Sequence, residues 1–335
     1  MDTLPLGKLP PELLDKILKK IPIFDDKVIV GPGTGLDCAV IDLGDQCLVL
    51  KSDPISFTSE NIGWYAVEIN VNDIVTTGAE PKWMLLTTFL PENSTTPNDV
   101  EVIIDQLINA TNKYGISIIG GHTEITCGIN RPILSATMIG TVDKDKLITP
   151  RGVMNDDIIY LTKEIAIETI AILSNDFPEK IGAILTDDEL IKAQSYLHNP
   201  GISVYKEARL IRDGFGVTAM HDPTEGGVAA ALWELSIASN KSLIIDLDEI
   251  PVSDLVRKIC DHFSINPLNS ISSGALLFTV NPEFGDQIAA ILKDNQVLVS
   301  KIGYVSGDGV GVMVNNKSEL TYLVRPARDE ITRVF

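Results

Sequence analysis

Between two strand-like runs, "CAVIDLGDQCLVLKSD" and "WMLLTTFL", the chain carries a helical segment that reads as buried and still bears carboxylate and amide side chains. Trp64, Val67, Val71 and Ile74 fall at i, i+3, i+7 and i+10, one apolar stripe at helical spacing. Glu68, Asn72 and Thr76 recur every four residues on a neighbouring face, with Asp73 beside Asn72. Gly78 stands where a left-handed residue ends a helix, and Pro81 prevents its continuation. A helix interior buries an aspartate only when it is paired, so Asn72 and Asp73 must face a partner. A buried helix between strands requires a layered α/β or α+β fold.

The rest of the chain extends this pattern. Residues 9–20 form a short amphipathic helix opening with Pro10-Pro11, behind what reads as a mobile arm. "KVIVG" is a strand, and "CAVIDLGDQCLVLKSD" is a pair of strands turning at Gly44-Asp45. A helix from about Pro97 to Tyr114 leads to "GISIIGG", read as a continuous, buried apolar strand, and "ILSATMIGTV" is another strand. The polar connector "TPRGVMNDD" divides the chain, giving an arm and helix over 1–22, a domain over 23–150 and a domain over 151–335. The second part has strands at "IIYLT", "GVTAM", "GALLFTV" and "LVSKIGYV". Its helices are "EIAIETIAIL", "DDELIKAQSYL", "GGVAAALWELSIAS" and "EFGDQIAAILKDN". At 335 residues, two domains are the default.

The formal net charge of −19 disfavours nucleic acid and anionic membrane as partners, because both need a neutralising Lys/Arg patch. No segment suits a signal peptide or a membrane span. Cys38, Cys47, Cys127 and Cys260 are scattered, which argues against a structural zinc site or a disulfide framework and fits a reducing cytoplasm.

Carboxylates recur where strands end or helices begin. Asp37 lies in "GTGLDCAV", and Asp53 ends "LVLKSDP". "IIGGHTEIT" sets Gly120, Gly121, His122, Thr123 and Glu124 directly after the buried strand. "MHDPTEGGVAAAL" sets His221, Asp222, Thr224, Glu225 and two glycines between a strand and a helix. Carboxylates that converge with few cations nearby suit a hard divalent cation, and Mg²⁺ bridges such oxygens to phosphate. Glycines at strand-to-helix turns let backbone N–H groups approach phosphate. The combined pattern suits Mg²⁺-nucleotide binding. Singly, Asp37 and Asp53 suit turns, and Asp222-Pro223-Thr224 suits a helix cap. No P-loop, dinucleotide fingerprint or nucleophile elbow is present.

In order, "GLDCAVIDLG", "KSDP", "NVNDIVTTGAEP", "GISIIGGHTEIT", "MHDPTEGGVAAALWELS" and "SSGALLF" resemble the aminoimidazole-ribonucleotide (AIR) synthase, or PurM-like, superfamily. "NDIVTTGAEP", "MHDPTEGGVAAAL" and "LTKEIAIETIAILSND" are most similar to its HypE-type hydrogenase maturation branch. The resemblance implies a two-domain PurM-like fold, α/β and α+β. Its N-terminal domain would pair with that of a second subunit in a barrel-like dimer sheet, and an α+β domain would follow. It implies ATP with Mg²⁺ and phosphoryl transfer to a substrate oxygen. It places Asp37, Asp53, Asp73 and Asp222 as metal ligands, with Asn72 beside Asp73. Gly120, Gly121 and Thr123 fall near phosphate, and Lys8 reaches over the nucleotide from the arm. The general-base role falls to Glu124 or His122. The family's acidic residue before Asp37 is Leu36 here, and no cysteine follows Cys260, so dehydration of a carbamoyl group on a terminal cysteine is not expected. Two alternatives stand beside this reading. One is a small-molecule kinase like thiamine-monophosphate kinase, with Lys51, Lys82, Arg131 and Arg151 as candidate contacts to a phosphorylated substrate. The other is a nucleotide-binding accessory dimer, without turnover, in a maturation complex.

Overall fold

The computed structural model describes residues 4, 6–214, 216–316 and 319–335; residues 1–3 and 5 of the expected arm lie outside that range. The chain forms two compact units, each built around its own sheet. One comprises Lys27–Val30 and Cys38–Leu147. The other takes the chain up to Asp26, Gly31–Asp37 and Ile148–Phe335, so the arm and the glycine-rich stretch before Cys38 belong with the C-terminal half.

The arm carries α1 (Pro11–Leu18). The first unit contains β1 (Val28–Val30), β2 (Ala39–Asp42), β3 (Gln46–Ile55), α2 (Ile62–Thr76), β4 (Glu80–Pro91), α3 (Pro97–Tyr114), β5 (Ser117–Thr126) and β6 (Ile133–Asp143). Its sheet runs β1-β2-β3-β6-β4-β5, antiparallel except where β5 lies parallel to β4. α2 packs on β3 and β6 and is covered by α3. It is therefore buried almost all round, and Trp64, expected in the buried stripe, is its one residue outside the core. Gly63 makes the close approach to α3 possible: a Cβ there would stand 2.8 Å from the Ile103 carbonyl oxygen. α3 is specified locally. Thr96 and Asp99 form a capping box, Pro97 takes the first turn, and Gly115 closes the helix at φ +68°.

The second unit contains β7 (Ile158–Thr162), α4 (Ile167–Asp176), α5 (Pro178–Gly182), α6 (Asp187–Gln194), α7 (Tyr205–Ile211), β8 (Val217–His221), α8 (Gly227–Ser239) and β9 (Lys241–Asp246). There follow α9 (Asp254–His262), β10 (Leu277–Val280), α10 (Gly285–Asp294), β11 (Val299–Asp308), β12 (Gly311–Asn316) and β13 (Glu319–Tyr322). The sheet order is β13-β12-β9-β11-β7-β10-β8. Its core joins Ile159 and Leu161 of β7, Leu243 and Ile245 of β9, and Val228, Leu232 and Leu235 of α8. No helix among the described residues is long and apolar enough to cross a membrane.

The expectation of a buried strand at "GISIIGG" is corrected. β5 continues through Thr126 as the outermost strand of its sheet, and its residues are exposed, with Ile119 at 54% and Ile125 at 57%. An apolar run signals burial without saying what buries it.

Candidate functional site

In the first unit, α2 turns its polar face toward defined partners. Glu68 is fully buried and accepts hydrogen bonds from Lys113 Nζ (2.8 Å) and the Tyr114 hydroxyl (2.5 Å), both on α3. Asp73, 2% exposed, pairs through Oδ1 with Lys51 Nζ at 2.9 Å, and the same ammonium lies 3.2 Å from Asp53 Oδ2. Asn70 Oδ1 accepts the Asp53 backbone N–H at 3.1 Å, tying the end of β3 to the helix. Asn72 is buried in the same helix. The structure thus brings together Asp53, Asp73 and Lys51, with Lys51 holding two carboxylates that would otherwise repel. Arg131 donates to the Phe57 carbonyl (3.1 Å), and Lys82 lies over the Trp83 ring.

Gly120, Gly121, His122, Thr123 and Glu124 all lie within β5 rather than in a loop beyond it. His122 Nε2 and Glu124 Oε2 are 3.2 Å apart on the exposed side of the strand. Gly121 has φ +148°, and a Cβ there would fall 1.8 Å from the Leu86 carbonyl oxygen of β4.

The second unit gathers Asp37, His221 and Asp222, whose ligand atoms all lie within 4.8 Å of one another. β8 ends on His221, and Asp222 follows before the turn into α8. Asp37 reaches them because Gly35, at φ +71°, lets its loop press against α8, where a Cβ would meet the Glu234 carbonyl oxygen at 2.3 Å. His221 Nδ1 donates to Asp37 Oδ2 (2.5 Å) and Nε2 to Glu234 Oε2 (3.2 Å). Burial opposes charge on this imidazole. The carboxylates of Asp37 and Glu234 outweigh burial and raise its pKa well above the ordinary range. Burial likewise works against the Glu234 carboxylate, but the charge of Lys8 and the hydrogen bond to His221 bring its pKa below the usual value. Lys8 Nζ lies 3.4 Å from Glu234 Oε1, so the arm residue expected over a nucleotide is docked on α8. A carboxylate–imidazole–carboxylate donor set of this kind fits a divalent cation.

The helix cap expected from Asp222-Pro223-Thr224 is supplied from elsewhere. Gly226 is the N-cap, at φ +82°, and its N–H donates to Asp329 Oδ2 at 2.6 Å. Behind this turn lies Glu168 of α4, 4% exposed. Its Oε2 and the neighbouring Ser273 hydroxyl complete no hydrogen bond among the described residues. Burial pushes Glu168 up to about 8, opposed by Ser273 and reinforced by the charges of Glu225, Asp329 and Asp222. Burial also raises Asp329 to about 7, against the N–H groups of Gly226 and Ile331.

These shifts set a pH dependence. Both folded-state pKa values exceed the unfolded ones, so the folded chain holds protons that the unfolded chain releases. The stabilisation is complete below about pH 4 and is lost as pH rises through 7 to 8. Unfolding free energy from urea titrations should therefore fall between pH 5 and pH 8.5, by on the order of a few kcal/mol. Glu168→Gln should flatten about half of that fall, leaving the part due to Asp329, and an unchanged profile in the variant would contradict the assignment.

Sequence reasoning passed over Glu168, Glu234 and Asp329. The first two carried a usable signal, a lone carboxylate inside an apolar helix in "IAIETIAIL" and "AAALWELS". Asp329 carried none, since it reaches Gly226 across 103 residues of sequence.

The two sheets with their helices define a protein of α/β and α+β architecture in two PurM-like domains. Family models for AIR synthase related protein match it twice, the N-terminal domain over residues 35–142 and the C-terminal domain over 155–315. A protein of Methanocaldococcus jannaschii, named for hydrogenase expression and formation, is 31% identical, covering 98% of this chain and 97% of its own. The carbamoyl dehydratase HypE of Rhizobium leguminosarum bv. viciae is 27% identical over 90% of this chain and 84% of its own. Two solved structures share the fold. HypE in complex with ATP has a TM-score of 0.72 at 19% identity, over 98% of this chain and 94% of that one. The HypE–HypF complex gives 0.70 at 21%, over 86% and 93%. The chain belongs to the AIR synthase related family, on its HypE-like side.

Proposed function

We propose that this chain is a cytoplasmic Mg²⁺- and ATP-dependent enzyme that activates a substrate oxygen by phosphoryl transfer. The observation that carries this reading is the convergence of Asp37, His221 and Asp222 within 4.8 Å, a donor set suited to a divalent cation. Mg²⁺, when bound, supplies charge neutralisation for the phosphates of ATP. The chain's residues supply the rest. Asp37 and Asp222 hold the cation on the second unit, and Asp53 and Asp73 serve on the first, with Asn72 beside them. Lys51, now shared by those two carboxylates, is the cation placed to offset phosphate charge. Gly120, Gly121 and Thr123 offer backbone near phosphate, and His122 and Glu124, 3.2 Å apart, form the acid–base pair. Names among the relatives support a role in hydrogenase maturation alongside a partner protein. The test is Mg²⁺-dependent ATP binding and ADP release by the purified chain: both are expected, and their absence together would refute the reading.

The same reading makes the protein a homodimer through β5. This strand is outermost in its sheet, and Ile118, Ile119 and Ile125 expose apolar surface that a second copy would cover. By light scattering the parent should have twice the 36.4 kDa chain mass. Ile119→Asp should have the chain mass, and a monomeric parent would contradict the dimer.

A further inference from the structure

We propose that Lys51 holds the first unit's cation position closed, excluding Mg²⁺ from Asp53 and Asp73 until a polyphosphate is present to receive its ammonium. This role rests on the phosphoryl-transfer reading for the nucleotide and adds an order to it. The first unit takes its cation together with the nucleotide and not before it.

Lys51 and Asp53 stand two residues apart on β3, so strand alternation sets them on one face, and α2 packs against that strand. Lys51 Nζ lies 2.9 Å from Asp73 Oδ1 and 3.2 Å from Asp53 Oδ2. The ammonium therefore stands where a cation shared by the two carboxylates would stand, and two cations cannot occupy one such place. The backbone keeps the carboxylates in position independently of Lys51. The Asp53 N–H donates to Asn70 Oδ1 at 3.1 Å, and Asp73 follows Asn70 on the same buried helix.

Displacement by Mg²⁺ alone is unfavourable. The ion gives up its water reluctantly. The released ammonium loses two carboxylates in a place where only 17% of its side chain meets solvent. A polyphosphate reverses the balance, because its oxygens accept the ammonium while Mg²⁺ takes the carboxylates. The charges agree with this exchange: two carboxylates and an ammonium leave one negative charge, and two carboxylates with Mg²⁺ leave none. Asp53 is the more exposed carboxylate, 32% against 2% for Asp73, so the ammonium leaves on its side. Cation and nucleotide then tighten each other's binding by about 5- to 150-fold, and equally in both directions.

Two measurements on the full chain test this role. In the chain labelled with ¹⁵Nζ-lysine, the Lys51 ammonium resonance is assigned by its loss in Lys51→Arg. It should stay in place with Mg²⁺ alone and shift when Mg²⁺ and a non-hydrolysable ATP analogue are added together. A shift with Mg²⁺ alone, or no shift with the analogue bound, would overturn the proposal. The second measurement counts bound Mn²⁺, a stand-in for Mg²⁺, by electron paramagnetic resonance without nucleotide. Lys51→Met should bind one ion per chain more than the parent, whereas Lys51→Arg, which keeps the charge, should match the parent. Equal counts in the parent and a folded Lys51→Met would defeat the proposal whether or not nucleotide binds. If Lys51→Met does not fold, the resonance decides on the parent alone. If Lys51→Met gains the ion while the analogue binds neither protein, the phosphoryl-transfer reading fails and the exclusion by Lys51 stands.

Discussion

Gly121→Ala is expected to lower the stability of the first unit by about 3 kcal/mol or more, seen as a melting midpoint of that unit lower by roughly 12 °C or more. Three features of the parallel pairing of β5 with β4 combine there. Gly121 stands opposite Leu86, its Cβ would fall 1.8 Å from the Leu86 carbonyl oxygen, and its φ of +148° is one that side chains rarely adopt. The obstacle is backbone, which cannot rotate aside, so the two strands must separate. Gly182→Ala is the control, because it sits in α5 with nothing within 4 Å of the added Cβ, and should be neutral or slightly stabilising. A melting midpoint unchanged in Gly121→Ala would contradict the close approach of the strands. If the drop is seen, strand packing accounts for a glycine at this position before any phosphate is invoked.

The largest functional effect is expected at Asp73. Asp73→Asn should reduce Mg²⁺-dependent ATP turnover on the order of a hundredfold or more, because a neutral amide cannot serve as the anionic ligand the reading requires. Asn is preferable to Ala. It keeps the side-chain volume and leaves an oxygen to accept from Lys51 Nζ, now 2.9 Å from Asp73 Oδ1. Removing the group outright would take from the ammonium its nearer carboxylate, and breaking a buried pair costs about 3–5 kcal/mol. The discriminating measurement is ADP release in parent and variant at equal folded fraction. A variant within threefold of the parent would take Asp73 out of the metal site.

Local signals carried most of the fold. The capping box at Thr96-Asp99, the glycine after Tyr114 and the turn at Gly44-Asp45 each state their structure within a few residues, and each element forms where expected. β9 and α9 were missed, although α9 is strongly amphipathic in "DLVRKICDH" with Leu255, Val256, Ile259 and Cys260 buried. The pattern was there to be counted. For β5, composition indicated an apolar strand but could not say that its outer edge is open. Asn72 and Asp73 were legible as buried groups needing partners, because helix periodicity and the cost of burying charge are both local facts. That Lys51 answers Asp73, and Lys113 and Tyr114 answer Glu68, depends on which elements stack, and no spacing rule reaches that far. In the second unit the resemblance pointed to Asp37 and Asp222. His221 and Glu234 become parts of one arrangement only when β8, α8 and the Gly35 loop meet.

The central claim is that this chain binds and uses ATP through a divalent cation. The most direct measurement is calorimetric titration of ATP into the purified parent, with Mg²⁺ and again with chelator, while ADP release is followed in the same sample. Saturable binding with Mg²⁺, its loss in chelator and slow ADP release are the predicted result. Binding equally tight in chelator, or no heat and no ADP under either condition, would contradict it.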